Sequence, residues 1–149
     1  MVFERSLWVK APVETLFAFH ERPDAFEKLT PPGQPVSVIS HTGGIETGAR
    51  VVLRLGFGPL SITWVALHTR FEKNQLFEDT QVSGPFRSWR HQHRFAPEDA
   101  GARLTDHIDF ELPGGPIAER LFGSVVCAQL EKMFVYRHAV TKASVERCV

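Results

Sequence analysis

The stretch from Phe86 to Leu112 reads FRSWRHQHRFAPEDAGARLTDHIDFEL, and both of its halves alternate with a period of two. In the first half Trp89, His91, His93 and Phe95 share one face, opposite Ser88, Arg90, Gln92 and Arg94. In the second half Leu104, Asp106, Ile108, Phe110 and Leu112 oppose Arg103, Thr105, His107, Asp109 and Glu111. Period two is the signature of a strand with one face buried. The polar segment 96–101 between the halves makes them an antiparallel hairpin. Aromatic and aliphatic residues should point inward and the arginines outward. Two histidines and one carboxylate are carried inward with the apolar set.

The same period extends upstream. Strands are expected at about 36–41, 50–57, 61–72, 76–83, 86–95 and 102–112. Gly43-Gly44, Gly58-Pro59, Lys73-Asn74 and Gly84-Pro85 serve as turns. Short links between consecutive strands imply antiparallel neighbours. Downstream, Pro113-Gly114-Gly115-Pro116 ends the sheet, and from Ile117 to about Arg147 Gly123 is the one helix-weakening residue. Ile117, Leu121, Val125 and Ala128 trace one stripe. Phe122, Val126, Leu130, Met133, Phe134 and Val140 widen it. Ahead of the sheet, residues 2–10 read as a strand. Val13, Leu16, Phe17 and His20 then lie on one helical face after Pro12. A second short helix runs from Pro23 to Leu29 and is stopped by Thr30-Pro31-Pro32-Gly33. The order is β-α-α, six strands, then a long helix. This is an α+β helix-grip fold: a curved antiparallel sheet of about seven strands wrapped over the C-terminal helix, in one domain over residues 1–149. A strongly twisted sheet curls, and a long helix across its concave face leaves room for a ligand.

Composition narrows the function. The chain has 149 residues, 43% hydrophobic and 23% charged, with seventeen Lys+Arg balanced by seventeen Asp+Glu. That balance argues against a nucleic-acid partner, which would favour a basic excess. Twelve Phe and three Trp stand against a single Tyr. Phe has no polar handle and must enter a core, a cavity wall or an interface. No apolar run is long enough for an integral membrane segment, and the charged first ten residues carry no signal-peptide core. Cys127 and Cys148 are too far apart on one helix to be bridged. Two free thiols suit a reducing, cytoplasmic setting.

Asp106 on an apolar stripe requires a partner, because a lone buried carboxylate is costly. If Phe95 pairs with Leu104, His93 faces Asp106; if it pairs with Ala102, His91 does. On 76–83, Phe77, Asp79 and Gln81 share a face and join the histidines if Phe77 points in. Such a cluster can lock the strand register, anchor a polar group on a ligand, or move protons with Asp106 tuning a histidine. His91-x-His93 also has two-ligand metal spacing, but no third or fourth ligand is evident, so no metal and no cofactor are expected. Arg87, Arg90 and Arg94 read as a solvated face.

The order of elements resembles the START/Bet v 1-like (SRPBCC) superfamily. Leu29-Thr30-Pro31-Pro32, Phe77-x-Asp79-x-Gln81 with Gly84-Pro85-Phe86, and Trp89-x-His91-x-His93-x-Phe95 with Asp106 are similar to its bacterial ligand-binding, polyketide cyclase/dehydrase-like subgroup. The resemblance implies an apolar cavity under the C-terminal helix. The expected function is binding of a small apolar or aromatic molecule, lipid- or polyketide-like. The contacts expected are Trp89, His91, His93, Asp79, Gln81 and Asp106 from the sheet, with Phe122 and Met133 from the helix. One alternative is a cyclase/dehydratase enzyme with His91, His93 and Asp106 as its acid/base set. Another is a ligand-free interaction domain. A homodimer fits any of the three.

Overall fold

The computed structural model describes residues 1–147, which leaves the Cys148 thiol outside the described residues. The elements are β1 (Val2–Val9), α1 (Val13–Glu21), α2 (Ala25–Leu29), β2 (Val36–Thr42), β3 (Arg50–Leu55), β4 (Ile62–Glu72), β5 (Leu76–Ser83), β6 (Ser88–Glu98), β7 (Gly101–Glu111) and α3 (Gly115–Glu146). A short 3-10 turn, Gly58–Leu60, links β3 to β4. One seven-stranded antiparallel sheet runs β1-β7-β6-β5-β4-β3-β2, so the first strand lies beside the last. The helix-grip architecture is therefore present, with the two short helices where the sequence predicts them.

Register follows the hydrophobic alternation. Phe95 pairs with Leu104, which sets His93 opposite Asp106 and His91 opposite Ile108. A bulge between His68 and Arg70 shifts the phase of β4. Beyond it Phe71 packs on the inner ring of Phe17, although His68 also points inward. Bulges sharpen twist, and these bend the sheet around the helices.

The third strand stops at Leu55, two residues short of the expected 57, and the largest departure from the sequence expectation is at the β6–β7 turn. β6 does not stop at Phe95 but continues through Pro97 to Glu98. Its ladder with β5 ends at Arg94, with Phe95 N still donating to Gln75 O (2.8 Å), so from Ala96 onward it pairs with β7 alone. The missing N–H of Pro97 then costs no ladder bond. The turn shrinks to Asp99 and Ala100, with Asp99 in the left-handed region (φ 51°).

The long helix α3 packs on β1, α1 and α2. Its covered side is Gly123, Leu130, Phe134, His138, Thr141 and Val145. The stripe expected to be buried is instead largely open: Ile117 is 74% exposed, and Leu121 and Val125 are also exposed. The buried line carries a glycine, a histidine and a threonine among its apolar residues, so it is not a continuous apolar stripe.

The core is split in two. Val9, Leu16, Phe17, Phe77, Phe95, Leu104 and Val145 form one apolar cluster. Phe3, Trp89, Ile108, Phe110, Leu130 and Phe134 form the other. Between Leu104 and Ile108 on β7 stands Asp106; between Phe95 and Trp89 on β6 stand His93 and His91; between Val145 and Phe134 on α3 stands His138. All four are well shielded, so a polar layer separates the two cores.

Candidate functional site

Asp106 is the centre of that layer. It is 2% exposed and meets three imidazoles. His91 Nε2 lies 2.9 Å from its Oδ1, and His138 Nε2 lies 2.7 Å from its Oδ2. His93 Nδ1 lies 2.8 Å from Oδ1. That last approach has the distance of a hydrogen bond but not its angle, so His93 Nδ1 makes no hydrogen bond and the contact is purely electrostatic. A buried carboxylate is tolerable only with this degree of compensation.

A second carboxylate completes the group. Asp79, on β5, pairs across the sheet with His91. Its Oδ2 stands 3.7 Å from His91 Nδ1 and 3.6 Å from His93 Nε2, beyond hydrogen-bonding range of both. The His91 and His93 rings lie 3.7 Å apart between centroids, and Phe77 stacks on His93 at 3.9 Å. The ring positions are thus fixed by packing as well as by charge.

Electrostatics follow from burial and proximity. Burial opposes ionisation of Asp106, but His93, His138 and His91 outweigh it and hold the carboxyl well below its usual range. The same contest ends the same way for Asp79, where His93 and His91 prevail. For His93 burial disfavours the cation, yet Asp106 and Asp79 more than compensate and raise its pKa. For His91 burial and the neighbouring His93 win, and its pKa is lowered. The layer therefore holds two carboxylates against an imidazolium-prone His93 and a neutral-prone His91.

Three more groups border this layer. His20, on α1, packs 6.3 Å from His93 between ring centroids and hydrogen-bonds Leu16 O. Burial, then His93, push its pKa down to about 4. His68, on β4, pairs with Asp79 and its pKa is lowered by burial; its buried Nδ1 has no hydrogen-bond partner among the described residues. Arg137, half-buried on α3, donates Nε to Leu29 O and covers the Phe134 ring. Sequence reading did not single out His138, His68 or Arg137. The available signal for His138 was its spacing of four from Phe134 on α3.

The residues expected to form a site fall into two sets. His91, His93, Asp79 and Asp106 come together as described, and Trp89 packs beside His91 at 6.4 Å between ring centroids. Gln81 is engaged elsewhere: its amide donates to Phe86 O (2.7 Å) and accepts from Phe86 N (3.2 Å), clamping the β5–β6 turn. Phe122 is exposed, and Met133 packs half-buried against the Phe3–Trp89 cluster.

Open clefts occur at two other places. One, of about 450 Å³, lies between α1 and the end of α3, with Phe19 and Val145 in its wall. Another, of about 500 Å³, lies between α2, the Pro31–Pro32 segment and β2, lined by Phe26, Val36, Val38 and His41. Neither has a member of the Asp106 cluster in its wall. On the inner face of β4, Trp64 Nε1 is buried and, like His68 Nδ1, has no hydrogen-bond partner among the described residues.

Residues 9–134 match the model of a family described as polyketide cyclase / dehydrase and lipid transport. No curated protein matches the chain in sequence. Among solved structures, it is similar to a nucleoside-diphosphate sugar epimerase from Corynebacterium glutamicum: 26% identity, TM-score 0.74, covering 95% of this chain but only 28% of that one. A Thalictrum flavum norcoclaurine synthase point mutant in complex with a transition-state analogue superposes with TM-score 0.75 at 11% identity, over 100% of this chain and 96% of that one. The di-domain ARO/CYC protein StfQ of the steffimycin biosynthetic pathway gives TM-score 0.71 at 14% identity, over 98% and 51%. At these low identities the last two bear on the fold alone.

Proposed function

The chain belongs to the polyketide cyclase / dehydrase and lipid transport family, and from that premise we propose that it binds a small apolar or aromatic molecule between the sheet and α3. The carrying observation is the pair of unbonded, buried ring nitrogens on the inner face of β4, Trp64 Nε1 and His68 Nδ1. Buried polar atoms are nearly always bonded, and the exceptions call for a partner. Around them the inner face is apolar: Leu53 pairs with Trp64 and Val51 with Ala66. A mostly apolar wall with a few unpaired polar atoms is what a small-molecule site requires. Asp79, His91 and His93 border it on the next strands and would read a polar group on the molecule.

The test is native mass spectrometry of freshly purified protein, followed by tryptophan-fluorescence titration with naphthol- and fatty-acid-type probes. A co-purifying molecule, or saturable quenching that weakens in Trp64→Phe and His68→Ala, supports binding. Absence of any adduct together with flat titrations refutes it.

A second reading, cyclisation or dehydration of a poly-carbonyl substrate, draws on the hydrogen bond between His91 and Asp106. That bond fixes the orientation of an imidazole whose other nitrogen faces Asp79. A positioned imidazole of this kind suits proton transfer. Loss of turnover with retained binding in His91→Ala would distinguish this from binding alone. In both readings the chain accounts for 28% of the Corynebacterium protein, so that protein's activity is not transferred to it.

A further inference from the structure

We propose that His91 Nδ1, His93 Nε2 and Asp79 Oδ2 form a binding site for one divalent first-row transition-metal ion, with Asp106 as the carboxylate that positions the two imidazoles. This goes beyond binding of an apolar molecule and does not depend on it.

The spacing of the donors fits an ion. The three donor atoms lie within 4.8 Å of one another. Asp79 Oδ2 is 3.7 Å from one imidazole nitrogen and 3.6 Å from the other. These separations are too long for hydrogen bonds. Two donors each about 2.1 Å from a shared tetrahedral ion stand roughly 3.4 Å apart. The observed gaps are thus close to those of co-ligands.

The orientation of the imidazoles fits as well. Metal-bound imidazoles commonly direct their other ring nitrogen to a carboxylate, which fixes the tautomer. His91 does so through Nε2 to Asp106, leaving Nδ1 toward Asp79. His93 is held to Asp106 by charge, with Nδ1 at 2.8 Å but not aligned for a hydrogen bond, and its Nε2 is toward Asp79. His138 holds the other oxygen of Asp106, so the positioning carboxylate is itself fixed.

The charge of the cluster favours a cation. Asp106 is buried with Asp79 half-buried beside the same imidazoles, and a dication would neutralise both carboxylates. Two imidazoles and one carboxylate, with positions left open, is a donor set used for zinc and for ferrous iron. The ion's open position would face the interior, where a carbonyl or hydroxyl oxygen of a bound molecule could reach it.

The experiment uses the full chain, stripped with EDTA and titrated with ZnCl2 by calorimetry. The expected result is one equivalent bound, with affinity reduced by at least about 10- to 100-fold in Asp79→Asn and His93→Ala. His107→Ala serves as control: its ring pairs with Glu4 on the outer face and should leave the titration unchanged. Circular dichroism checks that each variant is folded. Should the variants fail to fold, X-ray absorption of the wild-type Zn2+ form decides: imidazole scattering with nitrogen and oxygen neighbours supports the site. Sulfur ligation, which would implicate a cysteine thiol instead, overturns it. So does the absence of saturable Zn2+ binding, or binding that survives both substitutions. Zn2+ uptake without any organic ligand leaves the site intact while counting against the apolar-molecule reading. The reverse result does the opposite.

Discussion

His138 Nε2 meets Asp106 Oδ2 at 2.7 Å, which ties the last helix to the last strand through the middle of the core. Both residues are almost fully buried. Asp106→Ala would strand three imidazoles in a site built around a negative charge. We expect a loss of about 3–5 kcal/mol in urea unfolding. His138→Ala should cost less, because His91 and His93 still attend the carboxylate. A double-mutant cycle between the two positions should return a coupling of about 1–3 kcal/mol. Additive losses would show that the contact carries no energy of its own.

His20 makes stability depend on pH in a defined window. Its pKa is about 4 in the fold, against 6.5 for a free imidazole. His93, Asp106 and His138 are the titratable groups that act on it. Between these values the unfolded chain binds the proton and the folded chain does not, so stability falls as pH drops from 6.5 toward 4 and then levels off. The full effect is about 3 kcal/mol. His20→Phe should flatten this part of the profile in metal-free protein. An unchanged slope would assign the dependence to other groups.

Two glycines should respond oppositely to alanine. A Cβ on Gly101 would stand 2.1 Å from Val9 O and press on the Trp8 ring, so the β1–β7 junction must move. A loss of about 1–3 kcal/mol is expected. A Cβ on Gly123 meets only the end of the Met1 side chain, which can swing away. There alanine should gain up to about 1 kcal/mol of helix propensity. Thermal melts of the two variants check both signs.

Gln81→Leu should act on the turn and not on the histidines. It removes both bonds to Phe86 and should cost about 1–2 kcal/mol. Zn2+ and small-molecule titrations should be unchanged. A clear loss in either would bring Gln81 back into the site.

Much of this was legible in the sequence, for a physical reason. In strands the side-chain period is fixed at two, so Phe95, His93 and His91 could be placed inside before any pairing was known. The two candidate registers of the β6–β7 hairpin preserved that alternation equally, so alternation could not choose between them. The contribution of Asp79 depended on whether Phe77 faced inward, and Leu76, Phe77 and Glu78 are all buried, which blurs the pattern there. On α3 periodicity identified an amphipathic helix but not the covered side. The sheet covers the line of Gly123, His138 and Thr141, and leaves Ile117 and Leu121 in the open. His138 was missed with that line. His20 was placed on the correct helical face, but its proximity to His93 depends on how α1 crosses the sheet, which no local pattern encodes.

The order β1-β7 has a consequence in time. Val2 through Val9 find their partners only at Asp109 through Ala102, and Asp106 gains its last imidazole from the helix that follows. Contacts between residues so distant in sequence are slow to form, because loop closure precedes any reward. During synthesis β7 emerges before α3, so Asp106 exists for a time beside β6 without His138. The polar layer thus cannot be whole until α3 has been made and has docked, and with it whatever site that layer serves.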